Sequence, residues 1–178
     1  TGEILSVLDY LAASSEVATP GECSARSVLE VAERTGRQMA AVILTTTCEI
    51  AAPEAVWLPL NEQQVENIVW ELLTNAKKFH PQHTPTVAMT LAIQDDAFVL
   101  RTVDDGITLA HDKLAHLWTP YYQAERYYTG QVPGMGLGLA MIAAAVWGVG
   151  GQCQVANRSD RPGLIFELSV PFSRSQTD

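Results

Sequence analysis

Glu62-Gln63-Gln64-Val65-Glu66-Asn67-Ile68-Val69-Trp70-Glu71-Leu72-Leu73-Thr74-Asn75-Ala76-Lys77-Lys78-Phe79 is the stretch on which the fold turns. Val65, Ile68, Val69, Leu72, Leu73 and Ala76 recur at steps of three and four, the spacing of one helix face. Asn61 suits the N-cap, and His80-Pro81 ends the run because a residue before proline is driven out of the helical region. On a helical wheel Glu71, Asn75 and Lys78 fall within an arc of roughly 60° beside the apolar stripe. If that stripe lies on a sheet, the three polar groups stand at the edge of the helix–sheet layer. An Asn carbonyl oxygen is a hard ligand suited to magnesium, a Lys one turn away meets phosphate, and a Glu can take a proton or orient a nucleophile. The plainer alternative is a solvated helix face.

Working outward, helices alternate with short β-branched runs. A helix is expected at about Ala25 to Met39, and strands at Val42 to Thr47 and Ala55 to Leu60. After the long helix come strands at Thr86 to Ile93 and Ala97 to Val103, joined through Gln94-Asp95-Asp96. A short helix over Asp112 to Trp118 follows. Tyr121 to Pro133 reads as a long polar loop, Gly136 to Trp147 as a second strong helix, and Gln152 to Asn157 with Leu164 to Pro171 as a closing hairpin. This order predicts an α/β fold, a two-layer α/β sandwich with a mixed, mostly antiparallel sheet packed on helices.

The chain has 178 residues, of which 47% are apolar and 17% charged, which suits one well-cored domain. A net charge of -9 argues against a nucleic-acid partner, which needs clustered Lys and Arg. It does not argue against a nucleotide, because one Lys and one magnesium ion can neutralise a triphosphate locally. Cys23, Cys48 and Cys153 form no C-x-x-C and read as small buried hydrophobes of a reducing compartment. No apolar run reaches about 18 residues, so no membrane contact is expected of this segment.

Two further motifs carry chemistry. In Val103-Asp104-Asp105-Gly106-Ile107 a strand end presents a carboxylate, a good acceptor for the amine of adenine, and Gly106 lets a base approach the backbone. In Gly134-Met135-Gly136-Leu137-Gly138-Leu139 a glycine run opens a helix, whose free N–H groups suit phosphate. Taken alone, these read equally as an Asp-Gly turn and a hinge. None of the four histidines has the setting of a phospho-acceptor, and all four read as surface residues.

Order and spacing together say more. Asn75, Asp104 and the Gly134 to Gly138 run resemble the N, G1 and G2 boxes of the GHKL ATPase superfamily, which has the Bergerat fold. Glu71 to Phe79, Leu117-Trp118-Thr119-Pro120-Tyr121-Tyr122-Gln123, and Gly134 to Leu139 resemble the N, F and G2 boxes of sensor histidine kinases. The resemblance covers roughly residues 40 to 172. It implies an ATP-binding catalytic domain of a two-component system that passes the γ-phosphoryl group of ATP to a histidine on a dimerisation domain. Asn75 is then the Mg2+ ligand, with Glu71 and Lys78 catalytic. Lys78, Phe79, Asp104, Gly106, Tyr122, Gln123, Gly134, Gly136, Leu137 and Gly138 contact nucleotide, and Tyr121 to Pro133 is the ATP lid.

The same resemblance divides the chain. Residues 1–14 read as the end of a dimerisation helix, 15–24 as linker, 25–172 as the ATP-binding domain and 173–178 as tail. It implies a cytoplasmic homodimer with a response regulator as partner, a membrane anchor in the parent protein being compatible, and no autophosphorylation by this segment alone. Glu71 departs from the Asn of many histidine kinases. Thr108 stands where G1 has its second glycine, and Ile165 precedes Phe166 where a hydroxyl residue is frequent. The departures predict weak nucleotide binding and keep open an alternative, a non-catalytic nucleotide-binding or protein-interaction switch.

Overall fold

In the computed structural model, which describes residues 21–120 and 137–175, the long helix α2 runs Glu62–Phe79. Its start is held by a reciprocal pair: Gln64 N–H donates to Asn61 Oδ1 at 2.8 Å and Asn61 N–H donates to Gln64 Oε1 at 2.9 Å. The preceding helix α1, Ala25–Gln38, is capped by Ser24, whose hydroxyl accepts from Ser27 N–H at 3.1 Å. A short α3 spans His111–Leu114, and α4 spans Gly138–Gly148. The first of these is shorter than the sequence suggests: from Ala115 to Trp118 the backbone continues as turns.

Strands Ile43–Cys48 (β2), Thr86–Gln94 (β4), Ala97–Val103 (β5), Gln152–Asn157 (β6) and Leu164–Val170 (β7) form one sheet in the order β2-β4-β5-β7-β6. Only the β2–β4 pair is parallel. Asp95 and Asp96 close the β4–β5 hairpin with φ of 48° and 59°, the left-handed pair that a two-residue turn requires. A second, small antiparallel sheet joins Cys23–Ser24 (β1), Val56–Leu58 (β3) and Ser173–Arg174 (β8), in the order β1-β3-β8. It draws together stretches that read from the sequence as linker and tail.

Period two in the strands buries one face of the large sheet: Val87, Met89 and Leu91 of β4, Phe98 and Leu100 of β5, and Leu164, Phe166, Leu168 and Val170 of β7. The buried stripe of α2 joins the same core. α1 packs against β2 and α2, and α4 packs against α2, β6 and β7, so α2 is the middle helix of its layer. The result is the two-layer α/β sandwich expected, with a mixed, mostly antiparallel sheet.

Leu73 is fully buried at the centre of this layer. Leu73→Ala is expected to lower unfolding free energy by about 2–5 kcal/mol, against about 1 kcal/mol for the cap change Asn61→Ala. Denaturant titration measures both, and a loss at position 73 no larger than at the cap refutes the central role of the buried stripe.

Candidate functional site

With the stripe turned to the sheet, Glu71, Asn75 and Lys78 emerge half-buried along one flank of α2. That flank faces the start of α4. A Cβ on Gly138 would overlap the Glu71 carboxylate, so the two segments lie in close approach there and any larger residue would push the Glu71 side chain aside. Leu137, the N-cap of α4, offers no side-chain cap, which leaves N–H groups of the first turn to other acceptors. Burial pushes the Glu71 carboxyl above its ordinary value, and the Lys78 charge opposes the shift. Burial likewise holds the Lys78 ammonium below its ordinary value, with Glu71 opposing. Lys78 Nζ also lies 5.0 Å from the centre of the Phe79 ring, a cation–π distance. The two shifts share one cause, burial, and each is opposed by the charge of the other group.

Asp104 continues the inward-facing set of β5 and is only 4% exposed. Its Oδ1 accepts from Gly106 N–H at 2.8 Å and from Leu164 N–H at 3.1 Å. Its own N–H donates to the Leu164 carbonyl at 3.0 Å. Among the described residues both side-chain hydrogen bonds end on Oδ1 rather than Oδ2. Burial raises the Asp104 carboxyl, the two N–H donors lower it, Asp105 raises it and Arg158 lowers it. Gly106 is wedged between this carboxylate and α2: a Cβ there would lie 3.1 Å from Asp104 Oδ1 and 3.5 Å from the Phe79 carbonyl. The N-box and G1 segments therefore meet at Phe79 and Gly106.

Three features escaped the sequence reading. His80 is not a surface residue; its side chain is 11% exposed and its Nε2 lies 3.5 Å from Asp105 Oδ1. Its Nδ1 accepts from Gln82 N–H at 3.2 Å and Thr84 N–H at 3.3 Å, so the neutral ring carries its proton on Nε2, toward Asp105. Asp105 Oδ1 in turn accepts from Thr86 N–H at 2.8 Å, tying the end of α2 to the Asp104 loop. Second, Ile165 pairs with Val103 across the sheet and so faces away from Asp104. The inward neighbour is Leu164, since side chains alternate along a strand. Third, the Thr102 hydroxyl points to the same inner side, buried and without a hydrogen-bond partner among the described residues.

Beyond the Asp104 loop, Asn157 clamps the chain by accepting from Leu109 N–H at 2.9 Å and donating to the Leu109 carbonyl at 2.7 Å. Trp118 stands edge-on to Phe166 with ring centres 5.9 Å apart. A cavity of about 520 Å³ opens between α3 and the edge strand β6, walled by Leu114, Trp118, Cys153 and Val155 among others. Thr108 is exposed. Tyr122, Gln123, Gly134 and Gly136, with the stretch read as a lid, lie outside the described residues.

Glu71 to Phe79, Asp104 to Gly106 and Leu137-Gly138 thus converge at one end of the helical layer. A family model described as histidine kinase-, DNA gyrase B-, and HSP90-like ATPase matches residues 60–174, a span that contains all of them. The chain belongs to that family. Autoinducer 2 sensor kinase/phosphatase LuxQ of Vibrio cholerae serotype O1 is 32% identical over 111 residues, or 61% of this chain. The match spans just 13% of LuxQ. The solved structure of the mycobacterial sensor histidine kinase MprB shares the fold with a TM-score of 0.70 at 19% identity, over 87% of this chain and 100% of that one. ShkA, solved full-length in complex with AMPPNP, gives a TM-score of 0.68 at 20% identity, over 89% of this chain and 32% of that one. Residues 60–174 are therefore an ATP-binding catalytic module of the histidine kinase-like ATPase family.

In this ATP-binding module the contact between Gly138 and Glu71 joins the two motif segments directly. Gly138→Ala is expected to displace the Glu71 carboxylate at a net cost of no more than about 1 kcal/mol, because the side chain can swing aside and Ala favours the helix, and Glu71→Ala in the same chain to remove that cost. A double-mutant cycle measured by thermal unfolding tests this; additive losses would show that Glu71 is not what excludes a Cβ.

Proposed function

We propose that this module binds Mg-ATP and passes the γ-phosphoryl group to a histidine on a dimerisation domain, as one part of a homodimeric sensor kinase that signals to a response regulator. The observation that carries the reading is Asp104: a buried carboxylate with one oxygen satisfied by two backbone N–H groups and the other left for an adenine amine. Gly106 beside it allows the base to lie against the backbone, and Phe79 gives the nucleotide an apolar wall.

The metal fits the donor set. Among the described residues no group of three or more His, Cys, Asp or Glu could cage an ion. Asn75 offers one hard amide oxygen on the same flank as Lys78. Magnesium suits that arrangement because it keeps waters and phosphate oxygens as most of its ligands. When bound, the ion would neutralise phosphate charge and align the γ-phosphoryl group. Lys78 would meet the phosphates with its ammonium charge. Glu71 would orient or deprotonate the incoming nucleophile. The first-turn N–H groups of α4, with Gly134, Gly136, Leu137 and Gly138, would hold the phosphates. Tyr122 and Gln123 would border the lid. No helix among the described residues is long and apolar enough to cross a membrane.

A second reading, a non-catalytic switch, draws on Leu164. It puts an aliphatic side chain beside Asp104 where a hydroxyl would assist a base.

Calorimetric titration with ATP, with and without magnesium, separates the two. Magnesium-dependent binding that weakens about 10- to 100-fold in Asp104→Asn, the loss expected for one charge-assisted hydrogen bond, supports the kinase reading. No binding by the unmutated chain supports the switch. The chain alone is expected to show little turnover of radiolabelled ATP, and rapid self-phosphorylation would refute the assignment of the acceptor to another domain.

Stability should move the other way. A carboxyl whose folded-state pKa is raised destabilises the fold above that pKa, and stability is regained as pH falls through it. Asp104→Asn is therefore expected to unfold at a higher temperature than the parent at pH 7, with the difference shrinking on acidification. An unchanged or lower melting temperature at pH 7 would contradict this.

A further inference from the structure

The turn between β6 and β7 reaches back to the Asp104 loop through one side chain. Arg158 Nη1 donates to the Asp104 carbonyl at 3.1 Å. Its other two donors form a fork on one carboxylate: Nε to Asp160 Oδ1 at 3.0 Å and Nη2 to Asp160 Oδ2 at 2.8 Å. Arg161 Nε adds a third bond to that carboxylate at 3.0 Å. The Arg158 side chain is 14% exposed although it starts in a surface turn. Its backbone N–H donates to the Gly163 carbonyl at 3.0 Å. Gly163, at φ 135°, has no room for a Cβ: one would overlap the Asp104 carbonyl and lie 2.8 Å from Arg158 Cδ. The turn is thus moulded around the backbone of Asp104, with a planar guanidinium fixed on both sides. A lysine could not reproduce three bonds in that fork geometry.

We infer that Arg158 is a positioning residue for nucleotide binding: locked by Asp160, it holds the Asp104 backbone in register and keeps a positive charge beside the carboxylate that receives the base. The inference deepens the ATP-binding reading above and rests on it. Asp104 is buried, and its two N–H donors both act on Oδ1, so the oxygen facing the ligand gains from any further source of positive potential. The charged and titratable groups around it are Asp105 on its own loop, Arg158 from the β6–β7 turn, and through these His80 at the end of α2 and Asp160. Asp105 opposes ionisation and Arg158 favours it. Removing Arg158 tips the balance toward the neutral acid, which cannot accept the amine in the same way.

The test follows Asp104 by carbon-13 NMR of the aspartate carboxyls, without nucleotide, and ATP affinity across pH by calorimetry. Arg158→Gln is expected to move the Asp104 titration midpoint upward, to shift the acid limb of ATP binding to higher pH, and to weaken binding near neutrality about tenfold. Asp160→Asn, which loosens the fork but removes the charge that offsets the guanidinium, should move the Asp104 midpoint and the acid limb the other way, slightly downward. It also serves where Arg158→Gln fails to fold. If the parent chain binds ATP and neither variant moves the acid limb or the Asp104 midpoint, the inference is overturned while the ATP-binding reading stands. If the parent binds no ATP but the Asp104 midpoint still moves, the electrostatic link survives and its role in nucleotide binding is lost.

Discussion

Burial of the apolar stripe of α2 against the sheet is the constraint from which the site follows. A helix lying on a sheet has one rotation to settle, and Val69, Leu72 and Leu73, all at 2% exposure or less, settle it. Once they point down, Glu71, Asn75 and Lys78 must emerge on the flank toward α4. The opposite flank faces α1, where Glu66 meets Arg34 at 3.7 Å and Lys77 Nζ donates to the Ala40 carbonyl at 2.8 Å. Lys77 and Lys78 are neighbours in sequence with opposite assignments, one structural and one facing the site. The difference is about 100° of helical rotation.

The strand period does the same for Asp104. Phe98, Leu100 and Thr102 face the core, so the next inward position places a carboxylate where the sheet would otherwise bury an aliphatic side chain. The fold tolerates it because β5 ends there and the chain turns to aim Gly106 N–H and Leu164 N–H at Oδ1. A carboxylate fixed this way needs little reorganisation when a ligand arrives. The same arrangement withholds stability, since the charged form is desolvated before any base has covered it. A carboxylate buried at a strand end thus costs some folding free energy, whatever it later pairs with.

Much of this was legible in the sequence because it depends on repetition or on spacing. Eighteen residues of sustained helical period fix α2 to its end residues, and the alternation in β5 and β6 does likewise. The motif residues could be named because their types match the chemistry of amide, carboxylate and glycine. What stayed hidden depends on tertiary contact. Strands of two residues, β1 and β8, have no period to read. His80 is half-buried and faces Asp105, which lies far off in sequence, and nothing beside it in the chain signals that partner. Ile165 was misjudged by one position, because the face a strand residue takes depends on register rather than on which neighbour is aromatic. Gly138 suggested a hinge, but the contact with Glu71 gives it a second reason to be glycine.

The charge pattern reconciles an acidic chain with an anionic ligand. With 11 Lys and Arg against 20 Asp and Glu, the protein as a whole repels a triphosphate. Exposed charges are screened beyond about 8 Å at physiological salt, so the distant excess matters little at the site. What matters is that each of the two carboxyls raised by desolvation, half-buried Glu71 and buried Asp104, is opposed by one nearby cation: Glu71 by Lys78, and Asp104 by Arg158. The first cation is half-buried, and burial holds its pKa below the ordinary value. The second is tied down by Asp160 and held above its ordinary pKa, as suits a group whose charge must not move.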